Sequence, residues 1–215
     1  MPKRTGLSED AVARRALALI DAEGIDGLSM RKLAGELGVS TMTLYSYFPD
    51  RAALLDGVAQ VVYAQIDAPE DAGGPRETLR VLMRAVRRVL LAHPHALPLI
   101  AEHAPRTLEA LAFVNAGFRA LRRAGVAPLD TARAYRALAA YSLGTAQVEI
   151  HHYFRAGEGP AAGPPEPGAP SAEAVGKLLP YLAEVGPLLG ELDDADEFDY
   201  GLDLTLDGFM GRHGT

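Results

Sequence analysis

The residues of this chain whose types and spacing could do chemistry crowd between Met30 and Arg51. Ser40, Thr41, Met42, Thr43, Tyr45, Ser46 and Tyr47 are all uncharged, and all but Met42 carry a hydroxyl. Hydroxyls bond phosphate oxygens and base edges, and a thioether such as Met42 can lie against a thymine methyl. Arg31 and Arg51 bracket the stretch where they could reach phosphates flanking a groove, and Lys3 and Arg4 form a short basic arm. Two helices crossing steeply over a tight turn would present such a set. Ala34 is small where the helices approach, Gly38 can take the left-handed backbone of the turn, and Leu33, Leu37, Val39 and Leu44 supply a shared apolar centre. Any helical hairpin can show this spacing, so the spacing leaves a structural hairpin and a DNA reader both open. The outward side chains favour the reader. Leu44 and Phe48, four apart, already provide a buried face, so Tyr45 is expected to project outward.

Other chemistries find less support. Glu149 and His152 sit three apart on a helical face, as in di-iron bundles, but the second Glu-x-x-His that such a site needs is missing. No phosphate-binding loop or nucleophile elbow appears, so neither catalysis nor a cofactor or metal is expected. The chain has no Cys, hence no disulfide, thiol nucleophile or Cys-zinc site. A small-molecule pocket is more plausible. Asn115 shares a helical face with Leu108, Leu111 and Phe118, and Gln147 with Leu143, Ile150 and Phe154, so both amides are expected to point inward. A buried amide needs a partner, either a ligand or the backbone. His103 and His151 are further candidates for ligand contact.

The elements that must position these groups are all helical. Ser8 before Glu9 and Asp10 starts a first helix that Gly24 stops. Ser29 caps a second to Leu37, a third runs to about Tyr47, and Pro49 and Asp50 close it and start the next. Longer helices are predicted from about Arg51, then over 76–92, 106–124 and 129–155, with a short piece near 95–103. Nine of the fourteen residues over 157–170 are Gly or Pro, which predicts a mobile loop. Two helices close the chain, 171–185 broken near Pro180, and 195–211. In the last, Phe198, Leu202, Leu206 and Phe209 form an apolar stripe. Leu202, Leu206 and Phe209 are too apolar to leave wet on a monomer and are expected to pair with a second copy, with helix 129–155 completing a four-helix bundle. The fold class is all-α: a three-helix domain over 1–50 and a larger helical domain over 51–215, for which the resemblance given below implies regulation and dimerisation.

Charge sharpens the division. The net charge is −7, from 21 basic and 28 acidic residues, yet residues 1–55 hold seven of each. The deficit belongs to the remainder, where eight acids between Glu191 and Asp207 flank the apolar stripe and are expected to form a solvated face. The longest uncharged run, Val89 to Ala101, is broken by His93, Pro94, His95 and Pro98 and is too short to span a bilayer. The first residues lack the apolar core of a signal peptide, so a cytoplasmic protein without membrane attachment is expected.

Leu28-Ser29-Met30-Arg31-Lys32-Leu33-Ala34, Gly38-Val39-Ser40 and Thr43-Leu44-Tyr45-Ser46-Tyr47-Phe48-Pro49-Asp50-Arg51 together resemble the DNA-binding region of the tetracycline-repressor (TetR) family. The resemblance implies a homodimeric transcriptional regulator, a repressor released from a palindromic double-stranded operator by a small-molecule effector. It implies that Thr41, Met42, Thr43 and Tyr45 lie on the recognition helix. Arg31 and Arg51 would be phosphate clamps, Arg51 standing where the family usually has Lys. His93-Pro94, Gly125-Val126-Ala127-Pro128, Tyr141-Ser142-Leu143-Gly144 and Phe198-Asp199-Tyr200-Gly201-Leu202 are similar to the family's tetracycline-binding regulatory domain. Positions aligned with the Asn, Phe and metal-ligand His that grip magnesium-tetracycline hold Leu82, Val86 and Ile100, which argues against tetracycline as the effector.

Overall fold

The computed structural model describes residues 7–154 and 171–211. Lys3, Arg4 and the Gly/Pro segment 157–170 lie outside them. The described residues form helices and turns only: α1 Glu9–Glu23, α2 Met30–Leu37, α3 Thr41–Tyr45, α4 Arg51–Tyr63, α5 Pro75–Ala92, α6 Leu97–Glu102, α7 Leu108–Arg123, α8 Pro128–Ile150, α9 Ala172–Leu178, α10 Pro180–Val185 and α11 Asp194–Met210.

Side-chain caps set the starts of the first four helices. The Ser8 hydroxyl accepts from Ala11 N–H, Ser29 from Lys32, Ser40 from Thr43, and the Asp50 carboxylate from Ala53, at 2.8–3.2 Å. Each satisfies an amide that the first turn leaves without a partner. Gly38 ends α2 in the left-handed region at φ 64°, and Val39 N–H returns to Ala34 O at 3.0 Å. The sharp reversal brings α3 across α2, with Leu33 and Leu44 fully buried at the crossing. α1 lies along α4, joined through Val12, Ala16, Ile20, Leu54 and Val58. α1, α2 and α3 form a head, and α4 joins it to the body.

The body is built on α5, α7, α8 and α11. α5 packs against α7 and α8, and α8 against α11. α8 ends at Ile150, short of the expected 155. His152 takes φ 48°, Tyr153 N–H reaches back to Val148 O and His152 N–H to Glu149 O, closing the helix with a left-handed residue that is not glycine. Pro180 divides α9 from α10 as expected. Both short helices pack chiefly on each other and on the turn after them, and Leu178, Leu179, Tyr181, Leu182 and Val185 stay exposed.

Two expectations about α11 are corrected. Leu202 and Leu206 are not a dimer surface. Both are 0% exposed inside their own chain, with Phe198 beside them, and Phe209 is half-buried against the same core. The acids are not simply a solvated face either. α5 presents Arg76, Arg80, Arg84 and Arg87 along one edge, and α11 repeats Asp199, Asp203 and Asp207 every four residues beside it. Arg84 holds Asp199 through two bonds at 2.9 and 2.6 Å, Arg80 grips Asp203 through two bonds, and Arg76 reaches both Asp203 and Asp207. Arg87 forks onto Glu149 of α8 at 3.0 and 2.6 Å and lies 5.5 Å over the Phe198 ring. The guanidinium partners hold the Asp199 and Asp203 carboxyls below the usual range.

Candidate DNA-reading helix and effector cavity

α3 turns its residues to distinct duties. Leu44 is buried beneath it and Phe48 follows into the same core, so the opposite side faces solvent. Met42 is 76% and Tyr45 44% exposed, Thr41 is half-buried, and no hydrogen bond commits the Thr41 or Tyr45 hydroxyl among the described residues. The other hydroxyls are engaged within the protein. Ser40 Oγ lies 2.9 Å from Thr43 Oγ1, Ser46 Oγ donates to Thr43 O at 2.6 Å, and the Tyr47 hydroxyl donates to Leu7 O at 3.1 Å. Thr41, Met42 and Tyr45 therefore form the outward face, while Ser40, Thr43 and Tyr47 shape and anchor the helix.

The two arginines also differ. Arg31 is exposed on the first turn of α2, without an ion-pair partner among the described residues. Arg51 opens α4, and its guanidinium donates to Ile25 O at 2.7 Å and Leu28 O at 3.3 Å, pinning α4 to the chain entering α2.

In the body, α4 to α8 enclose a cavity of about 80 Å³. Leu82, Val86 and Ile100 all line it. Tyr63 stacks on Phe113 with centroids 5.7 Å apart, and Phe118 meets Tyr135 edge-on at 5.3 Å. The Tyr63 hydroxyl faces Ile100 O at 2.8 Å and His103 O at 3.0 Å and shares its one hydrogen between them. Burial pushes the Tyr63 phenol up to about 12 and raises Tyr135 as well.

None of the four polar side chains expected to meet a ligand lines this cavity. Asn115 and Gln147 are exposed, Asn115 because Leu108 and Leu111 at the start of the α7 stripe are themselves wet and the inner face of α7 runs through Ala110, Phe113, Val114 and Gly117. Gln147 and His151 border an open groove between the end of α8 and Gly24–Asp26 of the head. His103 is half-buried, its Nδ1 3.1 Å from the Asp56 carboxylate. The buried amide is Gln60 instead, which donates to Ala104 O at 3.0 Å and accepts from Arg106 N–H at 2.6 Å. The stripe through Leu54 and Val58 gives no sign of it, since a position two residues on faces away on a helix. Ser142, from the Tyr141-Ser142-Leu143-Gly144 motif, also lines the cavity.

Head and body meet at His93 and His95. His93 Nδ1 lies 2.9 Å from an Asp21 carboxylate oxygen and Nε2 3.1 Å from Gln65 Oε1, while His95 Nδ1 faces the Ile20 and Asp21 carbonyls at the end of α1. Among the described residues no three His, Asp or Glu gather as metal ligands, and no helix is long and apolar enough to cross a membrane.

The chain matches the family described as bacterial regulatory proteins, tetR family, over residues 13–58, and the tetracyclin repressor-like C-terminal domain over residues 68–212. It is 30% identical to the HTH-type transcriptional repressor DrrR1 of Streptomyces coeruleorubidus, over 96% of this chain and 78% of that protein. It is 30% identical to the class A tetracycline repressor of Escherichia coli, over 97% and 93%. Among solved structures, ActR of Streptomyces coelicolor in complex with actinorhodin superposes with a TM-score of 0.80 at 24% identity, covering 97% of this chain and 99% of that one. BioQ with its double-stranded DNA operator superposes at 0.65 with 25% identity, covering 95% and 99%.

Proposed function

This chain belongs to the TetR family of bacterial regulatory proteins, and from that premise we propose a homodimeric repressor whose head leaves a palindromic operator when an effector fills the body cavity. In this reading the head is residues 1–50 and the body residues 51–215. Thr41, Met42 and Tyr45 face base edges, and Arg31 holds a phosphate.

The observation that carries the reading is α4. One rigid helix begins with Arg51 fixed to the head carbonyls, runs through Leu54 and Val58 against α1, and ends with Tyr63 on the cavity wall. An object that moves Tyr63 moves α1 and with it α3. The His93 and His95 contacts give the body a second hold on α1. Two α3 helices in successive major grooves must stand about 34–36 Å apart, so a small tilt of α4 lowers affinity. The effector acts only through tighter binding to the misaligned state.

Dimerisation is supported by exposed apolar surface on the far side of the body. Tyr200 and Leu204 face outward on α11, across from the buried Leu202 and Leu206, and the α9–α10 leucines are equally uncovered. The exposed edge of α8 carries Ala140 and Gly144, small enough for a second helix to approach closely.

A gel shift with the DNA upstream of the protein's own gene tests the reading. A sequence-specific complex is expected, and Tyr45→Ala should weaken it at least about tenfold, the scale of one lost base contact. A Tyr45→Ala complex of unchanged affinity overturns the recognition assignment.

A further inference from the structure

The cavity wall carries no Asp, Glu, Lys, Arg or His. An ionised group placed there would lose its water without meeting a counter-charge, which strongly disfavours a charged ligand. The two phenols do not change this, since burial raises both and keeps them neutral. The Tyr63 hydroxyl is already committed to two carbonyls. Two aromatic pairs, Tyr63 with Phe113 and Phe118 with Tyr135, frame the space for a flat ring.

One fully buried polar atom of the wall is left over. Ser142 is 2% exposed, lines the cavity, and its Oγ has no hydrogen-bond partner among the described residues. Serine and threonine inside helices usually satisfy themselves by donating to the carbonyl one turn back. Thr145, three residues on, does so, reaching Tyr141 O at 2.9 Å. Ser142 does not, although a buried hydroxyl without a partner is costly. A ligand oxygen reaching Ser142 Oγ would supply the missing bond.

We infer that the cavity selects an uncharged, ring-bearing apolar molecule with one hydroxyl or carbonyl, and that Ser142 Oγ is the group that recognises that oxygen. The inference rests on the reading of the cavity as the effector site, and it adds the ligand class and the specificity-determining residue. Such a molecule enters without a metal ion and without a salt bridge. Its affinity is insensitive to ionic strength.

Three one-ring probes, matched to a cavity of this size, test it: phenol, benzene and benzoate, titrated calorimetrically into the intact protein and into Ser142→Ala. In the wild type phenol should bind about five- to tenfold tighter than benzene, the worth of one neutral hydrogen bond. It should bind at least about a hundredfold tighter than benzoate, whose carboxylate would be stranded. Ser142→Ala should bring phenol and benzene within about twofold of each other, with benzene unchanged, since only the hydrogen bond is gone. The variant removes a group without a partner, so its melting temperature should match or exceed the wild type. Benzoate binding on a par with phenol, a phenol preference that survives in Ser142→Ala, or no saturation by any probe would each overturn the inference. Adding phenol to the operator complex separates the two readings. The predicted ranking without release of DNA refutes the effector role and leaves the cavity assignment standing.

Discussion

In the proposed reading the head and the body each offer an uncharged surface to a ligand, for opposite physical reasons. On α3 the absence of charge sits on a convex, wet face. Met42 and Tyr45 project from a helix that carries neither acid nor base, and the nearby cation Arg31 belongs to the previous helix. Acids there would repel the phosphate backbone, and more bases would strengthen binding to any sequence. In the body the absence of charge belongs to a recess, because the cavity between Tyr63 and Leu143 is walled by five helices with apolar side chains, two phenols and Ser142. α5 shows how the two demands are kept apart. Its inner side gives Leu82, Met83 and Val86 to the cavity, and its outer side gives Arg76, Arg80 and Arg84 to the aspartates of α11. The α5–α11 charges are structural and paired, and in the head Arg14, Arg15 and Lys32 are paired as well, which leaves Arg31 beside the reading helix for a partner.

The harshest way to break this comparison is to empty each core. Leu44→Ala should cost about 3 kcal/mol, within the usual range for a fully buried leucine, and should abolish operator binding while the body still melts cooperatively. Leu202→Ala should cost a similar amount, about 3 kcal/mol, from the body. Leu204→Asp on the opposite face of α11 should barely move the melting temperature of the monomer and should dissociate the dimer in a sedimentation run. Dissociation by Leu202→Ala without loss of stability would return that residue to the interface.

These variants also mark where sequence reasoning stops. The four helix starts, the left-handed Gly38, the outward Tyr45 and the break at Pro180 were all legible, because each is decided by bonds or sterics within about four residues. The apolar stripe of α11 was legible as a stripe, but periodicity says only that a face is buried and not whether a second chain covers it. The aspartates were unreadable for the same reason. Asp203 meets Arg80 across 123 positions, and no local pattern announces such a partner. Asn115 was misplaced because the stripe chosen for α7 included Leu108 and Leu111, which a helix end leaves in water. Ser142 was hidden because its meaning lies in the bond that its own helix fails to make.

A gentler test probes the paired charges of the body. The Asp203 carboxyl is held low by Arg80 and Arg76, so its folded form binds protons more weakly than the unfolded chain. The stabilisation is complete above the ordinary carboxylate range near pH 4 and is lost as pH falls through the lowered folded value. Asp199, held low by Arg84, behaves alike. Asp203→Asn should therefore cost about 1 kcal/mol at neutral pH, modest because the pair is partly wet. It should also flatten the acid limb of the stability curve below about pH 4, read by denaturant unfolding at a series of pH values. An acid limb identical in the variant would mean that the α5–α11 ladder contributes nothing to holding the body together.

The finest distinction lies between the two arginines of the head. If Arg31 holds a phosphate, Arg31→Ala should leave stability unchanged and reduce the slope of log affinity against log salt by about one. Arg51 bonds to the Ile25 and Leu28 carbonyls, so Arg51→Ala should cost stability first, about 1 kcal/mol. Its effect on operator affinity should be nearly the same at every salt concentration, because the loss acts through the placement of α2 and α3 rather than through a released counterion. Arg51→Lys separates these terms further: lysine keeps the charge but not the planar fork that spans two carbonyls. Should Arg51→Lys restore operator affinity while stability stays low, and Arg51→Ala reduce the salt slope as Arg31→Ala does, Arg51 would be a phosphate clamp whose carbonyl contacts break on binding. Lysine that rescues neither stability nor affinity would identify Arg51 as the pin that joins α4 to the reading helix.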